Sequence, residues 1–131
     1  MAGPWDAEIK LLYPADAGTF FTVDTIDSKT AFVAVANVEI GENLNENVSK
    51  HDVWVVVRNL SKSTIVATTL FTEPLIPENN KARRQEVRVD IDDAWTAEEG
   101  DILELVASYK VTAGVNKVYS STDSKTFIVS A

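Results

Sequence analysis

Apolar and polar side chains alternate along almost the whole chain, from about Ala7 to Ala131, and that period of two excludes most architectures at once. Successive side chains of an extended backbone point to opposite faces, so alternation marks strands with one buried face. A helix would need apolar residues three and four positions apart. The clearest case is Glu86-Val87-Arg88-Val89-Asp90-Ile91-Asp92, whose apolar residues face one way and whose charges face the other. Only Asp93 to Glu99 carries a helical signal, enough for one short turn before Gly100. The pattern predicts an all-β chain.

Ile9, Leu11 and Tyr13 share one face of a first strand, which Pro14 ends. Phe20 to Ile26 is extended again and leads through a turn into the run from Thr30 to Ile40. Gly41 to Asp52, rich in asparagine and glutamate, is expected to be an exposed loop; with Ala113 to Lys117 it is a candidate for specificity at the ends of the fold. Val53 to Arg58 and Thr64 to Phe71 form strands around a hairpin turn at Ser61-Lys62-Ser63. Pro74-Leu75-Ile76-Pro77 suits an extended crossover between two sheets, because proline cannot donate to an interior ladder. Leu103, Leu105, Ala107, Tyr109 and Val111 share a face of the next strand, and Phe127 and Val129 point inward from the last. Seven to nine strands result, and at 131 residues one domain spanning 1–131 can bury a sufficient core.

Trp95-Thr96-Ala97-Glu98-Glu99-Gly100-Asp101-Ile102-Leu103-Glu104-Leu105 resembles the corner between the fifth and sixth strands of immunoglobulin-like and fibronectin-type sandwiches, where an acidic-glycine turn leads into a core strand. The resemblance implies an antiparallel two-sheet sandwich, with a jelly roll of equal strand count as the alternative. The chain departs from antibody-type domains in having no cysteine, and Leu103 and Leu105 replace the aromatic expected after the corner. A fold is implied in this way, and no function.

Two strands are apolar on both faces, although one apolar face suffices in a sandwich. Phe32, Ala34, Ala36, Val38 and Ile40 form one face of the first, and Ala31, Val33 and Val35 the other. In the second, Val53, Val55 and Val57 oppose Trp54 and Val56. If the two are neighbours, Val33, Val35, Trp54 and Val56, extended by Val66 and Leu70, form an apolar patch that needs a cover. The expected cover is a protein partner or a second copy of the chain, with Trp54 as anchor, unless Phe20, Phe21 or the Pro74 to Pro77 crossover folds over it.

Chemistry is sparse. A formal net charge of -8 repels phosphate backbones and anionic lipid, so neither nucleic-acid binding nor membrane insertion is expected. The basic cluster Lys81, Arg83, Arg84 and Arg88 lies beside Glu78 and Glu86 without interleaved aromatics, as on a solvated strand edge. His51, the only histidine, sits among polar neighbours that predict a solvent-facing side chain, and no serine occupies a nucleophile-elbow sequence. The acidic group Asp90, Asp92, Asp93, Glu98, Glu99 and Asp101 could offer oxygens to calcium, but its spacing matches neither an EF-hand nor the cadherin pattern, and a solvated acidic turn is expected. Trp5, Trp54 and Trp95 leave a carbohydrate-binding module as the alternative function, since aromatic faces stack on sugars. The expectation is a non-catalytic, self-associating structural or interaction module without cofactor. With no basic and apolar leader at Met1 to Asp6, the compartment stays open.

Overall fold

The structure is a computed structural model that describes residues 3–17 and 23–130. Its elements in chain order are β1 (Ala7–Asp16), β2 (Thr25–Asp27), β3 (Phe32–Ile40), α1 (Glu42–Asn45), β4 (Lys50–Asn59), β5 (Thr64–Pro74), β6 (Arg83–Ile91), β7 (Ile102–Ala113), β8 (Asn116–Asp123) and β9 (Phe127–Ser130). Two sheets result, one ordered β1-β3-β6 and the other β2-β9-β7-β4-β5, with β8 beside β7 on the same edge as β9. Every pairing is antiparallel except β2 with β9. The chain is an all-β, two-sheet sandwich.

The alternation seen in the sequence becomes the core. Phe32, Ala34, Ala36, Val38 and Ile40 of β3 meet Val87, Val89 and Ile91 of β6 on one inner face. Val53, Val55 and Val57 of β4 and Leu103, Leu105, Ala107, Tyr109 and Val111 of β7 line the other. Phe32 sits edge-on to Trp95 and Phe127, with ring centroids 5.9 and 6.0 Å away, the offset geometry aromatic rings prefer.

Three local expectations change. Leu11 does not share a face with Ile9: a bulge between Ile9 and Leu11 adds a residue to β1, so Ile9 and Leu12 turn inward while Leu11 and Tyr13 point outward. The stretch Gly41 to Asp52 is no exposed loop. It forms α1, buries Leu44 and Val48 in the core, and enters β4 already at Lys50. Asn45, also buried, donates to the Lys81 carbonyl and accepts from Arg83 Nε at 3.0 Å each. Of the expected strand from Phe20 to Ile26, the structure shows Thr25–Asp27; Phe20 and Phe21 lie outside the described residues.

The predicted crossover at Pro74 to Pro77 carries the chain from β5 in one sheet to β6 in the other. The corner before β7 is held by its own chemistry rather than by helix. Asp101 accepts from the Glu98 amide at 3.0 Å and from Asn59 Nδ2 at 2.8 Å, and Gly100 at φ 87° supplies the left-handed turn. Trp95 is buried beneath this corner and donates its indole N–H to the Thr30 carbonyl at 2.8 Å.

Candidate interaction surface

The expected apolar patch is divided between the sheets. β3 lies between β1 and β6, and β4 lies between β5 and β7, so Val33 and Val35 never approach Trp54 and Val56. On the outer side of the smaller sheet, Val33 and Val35 form a separate buried cluster with Ala15, and Tyr13 packs against it. Tyr13 and Arg88 flank Val35 in register, two long side chains beside one short one. Both valines are thus covered within the chain and offer no surface. Val66 leaves the patch for another reason: a bulge opposite Val57 and Arg58 breaks the alternation of β5, and Val66 packs toward the main core.

The remainder is coherent. Leu70 lies directly opposite Trp54 across the β4–β5 ladder, and Val56 lies opposite Val106 of β7. Position parity puts all of them on the outer face of the larger sheet, where Trp54, Val56 and Val106 are partly exposed and Leu70 is 53% exposed. Thr68, Thr72, Ser108 and Ser121 border the group in register. Val106 was missed in the sequence because its neighbours on β7 mark only the inward face; it joins the patch through its pairing with β4. Of the other tryptophans, Trp95 is buried and Trp5 is exposed in the turn that precedes β1. Neither is part of this face.

His51 is fully buried, contrary to the solvent-facing position expected for it. It shares the parity of Val53, Val55 and Val57, so once β4 begins at Lys50 the imidazole must point inward. Nε2 lies 2.8 Å from Glu73 Oε1 and Nδ1 lies 2.7 Å from the Tyr109 hydroxyl. An ionised carboxylate only accepts, so Nε2 carries the proton, and in the neutral ring Nδ1 then accepts from Tyr109. Gln85 Nε2 donates to the same Glu73 oxygen at 2.6 Å. Burial lowers the pKa of His51, and the nearby Arg83 charge acts in the same sense, against the pull of Glu73. The hydrogen bond from Gln85 leads in lowering that of Glu73, and burial raises that of Tyr109.

Asn59 closes the opposite end of the same inward row. It is buried and donates to Asp101, and this bond is the leading cause of that carboxyl's lowered pKa. Lys62 Nζ lies 3.2 Å from Glu98 and 3.7 Å from Asp101. The acidic corner is therefore tied to amide and ammonium donors, and among the described residues no group of three His, Asp or Glu side chains is placed to hold a metal ion. A groove of about 580 Å³ runs between β1 and the β8–β9 break, lined by Leu11, Tyr13, Asp24 and Lys125 among others.

No family model and no curated protein matches the sequence. Among solved structures, the chain is similar to a bacterial adhesin from Mobiluncus mulieris containing intramolecular disulfide, isopeptide and ester bond cross-links, with TM-score 0.44 and 13% identity over 94% of this chain and 49% of the adhesin. It is also similar to the Bifidobacterium dentium β-glucuronidase complexed with coumarin-3-O-glucuronide, with TM-score 0.36 and 16% identity over 96% of this chain and 18% of the enzyme. The chain thus spans about half the length of the first and under a fifth of the second.

Proposed function

We propose that this chain is a non-catalytic interaction module, a subunit or accessory domain of a larger surface or particle assembly, that associates with a second copy through the outer face of its larger sheet. The observation that carries the reading is the apolar group Trp54, Val56, Leu70 and Val106, which crosses three paired strands. A flat apolar area with a tryptophan inside it and hydroxyl-bearing residues around it has the make-up of an interface core and rim. A sugar platform would instead stand in a polar groove, so the patch favours protein over carbohydrate.

The strand order supports an immunoglobulin-like or fibronectin-type sandwich over a jelly roll, because the first, third and sixth strands share one sheet and the fourth, fifth and seventh the other. A structural role for His51 is supported by its two ring nitrogens, both engaged inside the protein. No ring nitrogen is left for a substrate.

Sedimentation velocity of the wild type and of Trp54→Ser tests the reading. The wild type should associate as concentration rises, and truncating a central anchor should cost about 2 kcal/mol or more, roughly thirtyfold in the dissociation constant. A wild type that stays monomeric, or an association indifferent to Trp54→Ser, refutes it.

A further inference from the structure

His51 sits in a chain of hydrogen bonds with no spare place for a proton. The Tyr109 hydroxyl donates to Nδ1 and Nε2 donates to Glu73, so the bonds run one way, from β7 through β4 to β5. A second ring proton would put hydrogens on both sides of the contact between Nδ1 and the hydroxyl. Tyr109 would have to turn its own proton away, and among the described residues its hydroxyl has no second partner. The new charge would also meet others. Glu73 of β5 and Asp52 of β4 favour it, and Arg83 of β6 opposes it.

Arg83 connects that charge to the crossover. Its Nη2 donates to the Ile76 carbonyl at 2.6 Å and lies 3.0 Å from Glu78, while its Nε donates to Asn45. Gln85, two residues on, adds its bond to Glu73. Residues 75–82, between β5 and β6, are thus held against the smaller sheet by groups that converge near the imidazole. The segment is otherwise lightly attached. It belongs to no ladder, Ile76 is exposed, and the Leu75 and Glu78 amides donate to the carbonyls of Ser49 and Asn45 at 2.9 and 3.2 Å. β4 and β7 are instead paired on both sides. Beside the crossover lies a groove of about 470 Å³, lined by Glu73, Leu75, Ile76, Arg83 and Gln85 among others. The Glu73 side chain is 38% exposed, so solvent stands one carboxylate away from the imidazole.

We propose that His51 is the proton sensor of a latch: its protonation releases residues 75–82 from β6 and widens the groove while the sandwich stays folded. The latch is independent of the Trp54 face. Water entering through the groove solvates the imidazolium, and Glu73 stays beside it as counter-ion. Repulsion between the imidazolium and Arg83 loosens the hold on Ile76 and Glu78. A segment with few ordered contacts opens at lower cost than the strands around it. The sign follows from proton uptake. In the closed form the ring binds a proton only below its ordinary value, and in the open, hydrated form at that value, so opening grows as pH falls between the two, by up to about tenfold per pH unit.

Hydrogen exchange of the wild type between about pH 7 and 5, expressed as protection relative to the intrinsic rate at each pH, tests the latch. Protection of the Leu75 and Glu78 amides should fall by up to about tenfold per pH unit. Local opening exposes little surface, so exchange at these two amides should respond weakly to urea, whereas core amides of β3 should show the steep response of global unfolding. His51 is the only histidine, so its NMR titration is read directly, and the fall in protection should end where the ring itself becomes charged. His51→Gln keeps a donor for Glu73 without a titrating ring, and its crossover protection should not change with pH. The proposal is overturned by crossover protection that stays constant in the wild type, that falls equally in His51→Gln, or that follows urea as steeply as β3 does. Should His51→Gln fail to fold, the wild type still decides: a fall that ends at the His51 titration supports the latch, and one that continues past it overturns the latch.

Discussion

Tyr109→Phe isolates one hydrogen bond in the interior of the sandwich. Tyr109 is fully buried, its ring lies 5.5 Å from the imidazole of His51 in an edge contact, and its hydroxyl is 2.7 Å from Nδ1. Phenylalanine keeps the ring and its packing, so the substitution makes no sizeable cavity. It leaves Nδ1 a buried acceptor without a donor, and the ring cannot compensate by moving its proton, because Nε2 must still donate to Glu73. Leaving a buried polar atom unsatisfied costs about 1–3 kcal/mol. At an unfolding entropy of about 2.1 cal/mol/K per residue, a 131-residue chain loses roughly 4 °C of Tm for each kcal/mol, so Tm should fall by about 4–11 °C. Urea unfolding followed by tryptophan fluorescence reads the same quantity, with buried Trp95 as a reporter. The midpoint should drop while the slope stays unchanged, since the surface exposed on unfolding is the same. A variant within about 0.3 kcal/mol of the wild type would falsify the assignment of Tyr109 as donor and His51 as neutral acceptor.

Acid should act in two stages. The pKa of His51 lies below its ordinary 6.5 in the folded chain, so as pH falls through that value the unfolded chain takes up a proton that the native chain resists, and stability declines; His51→Gln should remove this upper stage from a urea series between about pH 7 and 5. The carboxyls of Glu73 and Asp101 are held below 4.5 and 3.8, so their stabilisation is present above those values and is lost as pH falls beneath them, in a second stage that His51→Gln leaves in place. Gly100→Ala should cost about 1–2 kcal/mol by urea unfolding, because φ is 87° and a Cβ would meet open space, which makes the cost one of backbone conformation alone.

Contacts between chain neighbours were legible in the sequence, and contacts between distant segments were not. Trp54 and Leu70 could be placed on one outward face because β4 and β5 are a hairpin around Ser61-Lys62-Ser63, and the turn fixes their register locally. Nothing local says that β3 pairs with β1 and β6 instead of β4. The condition that would join Val33 and Val35 to Trp54 and Val56 therefore fails, because β3 and β4 lie in different sheets. Bulges account for the other errors of facing. Lys10 in β1 and the Ile65–Val66 step in β5 carry ordinary strand residues, so an extra backbone residue leaves no mark in the side-chain pattern, yet it inverts every position beyond it. The burial of His51 was hidden by its polar neighbours Lys50 and Asp52. Parity with Val53 was the available signal, and Glu73 and Tyr109, distant in sequence, supply the partners that make burial tolerable.

Polar contacts anchor both ends of β5. Glu73 is the penultimate residue of β5, and its carboxylate accepts from His51 of the same sheet and from Gln85 of the opposite one. One carboxylate thus joins the sheets where β5 leaves for the crossover. At the other end of β4, Asn59 and Lys62 attach the β4–β5 turn to Asp101 of the corner before β7. A strand fixed at both ends frays less than one held at a single end, because its backbone is already extended and in register. These polar side chains therefore tie β5 to the opposite sheet at its crossover end and to the corner before β7 at its turn end. With both ends held, Ala67 to Thr72 stay in register with β4, which keeps Leu70 opposite Trp54 on the outer face.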